Sequence, residues 1–230
     1  MRTITLRFAI ALALPALAAA TTFASARDYG DIDKVNSGIS IDAGSTAGSL
    51  ETVNGGVHVG ANSKVGDVES VNGGIHLEEG VQATSVDTVN GGVTVGAKGI
   101  VRDTIETVNG GITLDTDADV GGKVSNVNGG IRLERAHVAG GIETVAGDVW
   151  IAGGSRVEGG ILVKEPHSFI SWGGKEQRPP RIVIEAGAVV EGTLRFEHEV
   201  ELYVHESAQI GTIEGAEAKR FSGDPPKFGK

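Results

Sequence analysis

Val53-Asn54-Gly55-Gly56-Val57 returns as Val71-Asn72-Gly73-Gly74-Ile75, then as Val89-Asn90-Gly91-Gly92-Val93, Val108-Asn109-Gly110-Gly111-Ile112 and Val127-Asn128-Gly129-Gly130-Ile131. The asparagines advance by 18, 18, 19 and 19 residues. Degenerate copies stand before and after, at Val35-Asn36-Ser37-Gly38-Ile39 and Val145-Ala146-Gly147-Asp148-Val149. A shorter rhythm runs beneath the phrase. From Val35 an apolar residue returns at every sixth position through Ile41, Ala47, Val53, Val59 and onward to Val163, with one-residue slips before Val108 and Val127. A fixed period of this length means stacked coils. Three six-residue faces in a turn of about 18 residues predict an all-β fold, a single-stranded triangular β-solenoid. Left- and right-handed coils share this period, so handedness stays open.

Columns aligned on the valine before each Asn show which positions face inward. Three residues earlier stand Ile32, Leu50, Val68, Val86, Ile105, Val124 and Ile142; four later, Ile39, Val57, Ile75, Val93, Ile112, Ile131 and Val149; six later, Ile41, Val59, Leu77, Val95, Leu114, Leu133 and Ile151. Between the last two columns the residues are polar or varied: Ser40, His58, His76, Thr94, Thr113, Arg132 and Trp150. Apolar, polar, apolar is strand alternation, which places short strands at 57–59, 75–77, 93–95, 112–114, 131–133 and 149–151. Parallel rungs ~4.8 Å apart over nine or ten turns give a rod roughly 45 Å long. Asn-Gly-Gly is expected at a corner, where glycine supplies positive φ. Asn54, Asn72, Asn90, Asn109 and Asn128 are expected to form an amide ladder along it. A calcium repeat would need a recurring Asp beside the glycines, and none is there.

The chain divides into a leader at 1–26, a solenoid at 27–218 and a polar tail at 219–230. Arg2 and Arg7 precede an apolar run from Phe8 to Ala20, and Ala24-Ser25-Ala26 fits a cleavage site, so residues 1–26 read as a signal peptide. The run is short of the ~20 residues of a membrane span, so no span is expected after cleavage. A protein exported to the periplasm or outside the cell follows. The chain has no cysteine, hence no disulfides. Its 20 Lys and Arg against 30 Asp and Glu give a net charge of −10, and loss of a leader with two Arg and no acid takes this to −12. Such a balance argues against nucleic acid as a partner. Ten Phe, Tyr and Trp against 36 Gly argue for a core of small β-branched residues.

The hexads fail after Val163. Residues 164–181 read as a loop projecting from the rod, carrying Phe169, Trp172, Lys175, Arg178 and Arg181. These apolar and basic residues on an acidic rod are the candidate contact with a protein or glycan at the cell surface; the alternative is a lid in which Phe169 and Trp172 fold back on the solenoid flank. The rhythm resumes at Ile184, Val190, Phe196, Leu202 and Ala208.

Ile182-Val183-Ile184-Glu185-Ala186-Gly187-Ala188-Val189-Val190-Glu191-Gly192-Thr193-Leu194 resembles the repeat unit of the bactofilins, polymer-forming bacterial cytoskeletal proteins built as triangular β-helices. Thr52-Val53-Asn54-Gly55-Gly56-Val57 more closely resembles secreted adhesin-like bacterial β-solenoids of unknown function. Together the two patterns cover about residues 31–215. The first resemblance implies self-association through coil ends and the second a surface scaffold; neither supplies catalytic residues.

The remaining chemistry is sparse. An acidic stripe of Glu51, Glu69, Asp87 and Glu106 is preceded by Asp33 and followed, after Ser125, by Glu143. Carboxylates one rung apart match the ~5–5.5 Å spacing of retaining glycosidases, yet a uniform stripe without an aromatic platform reads as a solvated face or a weak divalent-cation surface. His58 and His76 share a column, but Ser40 and Thr94 flank them, so further ligands are missing from it and no metal is expected. His167 lies on the loop where hexapeptide acyltransferases place a histidine, with nothing else in support. The expectation is a non-catalytic structural or adhesion-type scaffold without cofactors, with a self-assembling filament subunit as the alternative and a polysaccharide-active enzyme as the distant one.

Overall fold

The computed structural model describes residues 26–166 and 178–226. No helix forms among them. Three parallel sheets stack as a β-solenoid of about 9 turns with about 19 residues per turn. The signal peptide expected at 1–26 lies almost wholly outside the described residues.

The first sheet contains strands such as Leu50–Asn54, Val68–Asn72, Val86–Asn90 and Ile105–Asn109. The second holds the 57–59, 75–77, 93–95, 112–114, 131–133 and 149–151 strands at the expected positions. The third is narrower, with two-residue strands such as Gln82–Ala83 and Ile100–Val101. Every ladder is parallel, and each residue pairs with its counterpart one turn on: Leu50 with Val68, Val68 with Val86, Val86 with Ile105. The three predicted inward columns are buried almost throughout, Ile32 at the end of the rod being only partly covered. A fourth inward column is polar. Thr52, Ser70, Thr88 and Thr107 each donate a hydroxyl to a corner carbonyl, of Ser37, Gly55, Gly73 and Gly91, at 3.0–3.1 Å. Small β-branched or short side chains fit the narrow interior, and this bond removes the cost of burying their oxygen.

The amide ladder forms. Each Asn donates its side-chain N–H to the amide oxygen one turn below, from Asn54 to Asn36 up to Asn128 to Asn109, at 2.9–3.1 Å. The corner glycines serve a different purpose from the one expected. Among the Gly pairs of the five full phrases only Gly129 has a positive φ. The others are needed because the coils touch backbone to backbone: a methyl on Gly91 would sit 2.8 Å from the Gly74 nitrogen and closer still to the Gly73 carbonyl. Positive φ falls instead at the next corner, at Gly44, Asn62, Gly80, Lys98, Asp117 and Arg135. Four of those six are not glycine, because there the chain has room for a side chain.

The strand Ile161–Val163 is followed by Arg181–Ile184, Val189–Val190 and Leu194–Phe196, so Arg181 opens a strand instead of ending the loop expected at 164–181. The polar tail is partly ordered into the rod. Ala218–Phe221 pairs with Glu201–His205, carrying the second sheet three residues past the expected boundary at 218.

These two kinds of corner give a ranked stability test. Gly91→Ala should cost about 3 kcal/mol, the range for overpacking. Gly44→Ala should cost about 1 kcal/mol, because its positive φ is strained for alanine but nothing lies within 4 Å of the added methyl. Asn90→Ala opens two ladder bonds on the surface and should also cost about 1 kcal/mol. Chemical denaturation of the three variants checks the order.

Candidate functional site

Alternation along the first sheet builds its outer surface. In the strand Leu50–Asn54, Leu50 and Thr52 point in while Glu51 and Val53 point out. Register then aligns Asp33, Glu51, Glu69, Asp87 and Glu106 in one column. Beside it, Val53, Val71, Val89, Val108 and Val127 form a second column, each 37–41% exposed. These valines carry the six-residue rhythm yet face solvent. The two rows of side chains flank the backbone of the inward Thr column, leaving an open groove of about 650 Å³ that runs from Asp33 to Val145. One wall is acidic and the other aliphatic.

The acidic wall is uneven. Near its upper end Lys123 lies 3.6 Å from Glu106 and 3.5 Å from Glu143, and Lys164 bonds Glu143 at 2.6 Å. Burial works against the charge on Glu143, but the Lys164 hydrogen bond and both lysine charges outweigh it and hold its carboxyl below the usual range. Glu51, Glu69 and Asp87 have no ion pair among the described residues. Burial, followed by the charges of Glu106 and Glu69, pushes the Asp87 carboxyl up to about 6.

Of the expected loop contact, Phe169, Trp172 and Lys175 lie outside the described residues. Arg178 and Arg181 lie where the described chain rejoins the rod. Arg178 donates to Asp148 through both terminal guanidinium nitrogens, at 2.8 and 2.6 Å. The Arg181 backbone N–H donates to Asp148 at 2.9 Å, and its side chain donates to Glu201 at 2.8 Å. Burial raises the cost of charge on Asp148, yet these donors hold its carboxyl below the usual range. Both arginines are therefore engaged with the rod itself. Asn54, Asn72, Asn90, Asn109 and Asn128 are engaged with one another.

His58 and His76 occupy adjacent rungs of the second sheet. Their rings stack with centroids 5.4 Å apart and planes 7° from parallel. A third group joins them that the column alignment missed. Glu78 Oε1 lies 3.2 Å from His58 Nε2, and Glu78 Oε2 accepts the Ala61 N–H at 3.0 Å. Glu78 follows His76 by two residues, past the inward Leu77, so it belongs to a different column. Its counterparts one turn below and above, Gly60 and Gly96, have no side chain. A lone acid between two glycines, two residues after a paired histidine, was the available signal. Among the described residues the other histidines do not meet: His198 bonds the Val145 carbonyl and His205 bonds Ser207. His137 lies between Asp119 and Glu158 in the third sheet, and its hydrogen bond to Asp119 raises its pKa.

No family model, no curated protein and no solved structure matches this chain.

The raised carboxyl predicts a pH dependence with a definite sign. A folded-state pKa above the unfolded value means that ionisation favours the unfolded chain. The associated stability is present below about pH 4 and is lost as the pH rises through about 6. Asp87→Asn should therefore match the wild type near pH 4 and exceed it by about 1 kcal/mol above pH 7. That figure is discounted for the half-exposed position. Urea melts of both proteins at the two pH values check it.

Proposed function

We propose that this chain is an exported, non-catalytic β-solenoid scaffold that binds a partner along the groove of its first sheet. The acidic column beside the valine column carries this reading. The side chains repeat at ~4.8 Å, which suits an extended ligand making the same small contact on several rungs. A cationic, partly apolar chain on a surface protein fits both walls. The bare carboxylates supply long-range attraction, and the valines supply apolar area of a kind that isolated soluble rods seldom expose in a continuous row. Export rests on the Arg2 and Arg7 leader. A non-catalytic role rests on the regularity of the stripe at Glu51, Glu69 and Asp87, where each acid has like neighbours above and below. The 164–181 loop, with its arginines engaged at the root, becomes the secondary candidate.

A synthetic peptide of alternating lysine and valine tests the groove. It should bind at low ionic strength and weaken as salt rises. Combining Glu51→Gln, Glu69→Gln and Asp87→Asn should weaken binding at least tenfold. Val71→Thr with Val89→Thr should weaken it several-fold at unchanged charge. Binding that is indifferent to both sets overturns the groove as the contact surface.

A filament subunit is the second reading, favoured by the ends of the coil. Ile210, Ile213, Ala218 and Phe221 in the last turn are only partly buried, and Ala218–Phe221 is an edge strand. Edge strands with open backbone groups pair readily with another chain. Sedimentation velocity of the chain lacking residues 1–26 separates the readings. A single species at micromolar concentration supports the scaffold, and concentration-dependent growth into long polymers supports the filament. Removal of residues 222–230 leaves the last strand in place, so growth that appears only after that cut identifies the terminal segment as a cap.

A further inference from the structure

We propose that His58, His76 and Glu78 form a binding site for one borderline divalent cation, with zinc as the ion their chemistry suits best. The three ligand atoms lie within 4.8 Å of one another. A tetrahedral zinc with bonds of ~2.0–2.1 Å needs its ligand atoms ~3.3 Å apart. The pair His58 Nε2 and Glu78 Oε1 already stands at 3.2 Å. Closing the site therefore requires that the exposed His76 ring leave its stack on His58 and turn its nitrogen toward Glu78. Imidazole with a single carboxylate is a donor set favoured by zinc and its neighbours rather than by calcium or magnesium.

Support around the ligands points the same way. The Ala61 N–H holds Glu78 Oε2 at 3.0 Å, which leaves Oε1 turned toward the histidines. Such an outer hydrogen bond orients a metal-binding carboxylate. The histidines project from neighbouring rungs of a hydrogen-bonded sheet, so their backbones are fixed at one spacing. Gly60 and Gly96 keep the space above and below Glu78 clear of competing side chains. The arrangement also departs from the repeat. Elsewhere this outward column holds Ser40, Thr94, Thr113, Arg132 and Trp150; Arg132 and Trp150 each bond an acid of their own, Glu134 and Glu185, so among the described residues only here do two imidazoles stand beside one carboxylate. Three protein ligands leave a fourth position open to water or to a donor from a bound partner.

Isothermal titration of the metal-free, untagged chain with zinc chloride tests the site. The expected result is a single saturable site per chain. His76→Gln and Glu78→Gln should each weaken it at least tenfold, while His205→Gln, far along the rod, should leave it unchanged. Circular dichroism melts without zinc should match the wild type, because both histidines are exposed and a glutamine at the half-buried position 78 can still accept the Ala61 N–H. A check without mutation follows the ring resonances of the wild-type histidines by NMR. Zinc should move those of His58 and His76 first. Absence of saturable binding, binding that survives His58→Gln with His76→Gln, or first movement of other histidines overturns the proposal.

Discussion

Like must stack on like in this rod, and every other feature follows from that. Parallel strands in register bring each side chain within ~4.8 Å of its counterpart in the next turn. A column is stable only if its residue type tolerates a copy of itself at that distance. Branched aliphatic residues do so by packing, which is why the three apolar inward columns are Val, Ile and Leu throughout. Asparagine does so because its side chain both donates and accepts, and the ladder from Asn36 to Asn128 satisfies one member with the next. Carboxylates do not: after burial, the charges of the stacked Glu106 and Glu69 add to the rise in the Asp87 pKa.

The same constraint explains what was legible in the sequence. Because columns repeat, inward positions and strand positions could be read off a simple alignment, and both proved correct. The reasons behind particular residues were harder to read. Gly91 looks like a positive-φ glycine, since turn chemistry is local and familiar. Its actual requirement is the backbone of a residue 18 positions earlier, visible only once two coils are stacked. Lys98 and Asp117 were invisible as positive-φ residues, because nothing in their side chains announces it. The outward valines share their period with the core and differ only in which side of the strand they occupy.

The candidate sites divide along the same line. The acidic stripe was legible as a column, but its partner column and the groove between them were not. Lys123, from the position just before the inward Val124, and Lys164, past the last hexad, neutralise its upper end. Glu78 is not legible from the histidine column, because it lies one residue past the strand Ile75–Leu77 and reaches His58 from a different column. Arg178 and Arg181 were read as available charge. Their acceptors, Asp148 and Glu201, lie 20 to 33 residues away in sequence, and only stacking of the coils brings them to the root of the loop.

A repeat of this kind can acquire function in two physically distinct ways. It can use the column itself, where a weak contact gains strength by recurring at fixed spacing along a rigid support. Or it can break the column, where one substitution creates a group of residues with no equivalent above or below. The valine and carboxylate groove is of the first kind, and its binding energy should scale with the number of rungs engaged. The histidine and glutamate cluster is of the second kind, and its affinity should depend on three side chains alone. Shortening the rod by one turn therefore acts differently on the two. Removing a turn from the middle of the first-sheet groove weakens every extended ligand in proportion. The cluster is unaffected as long as the turns that carry His58 and His76 remain adjacent, because their register is set by the ladder between those two coils and by nothing further along the rod.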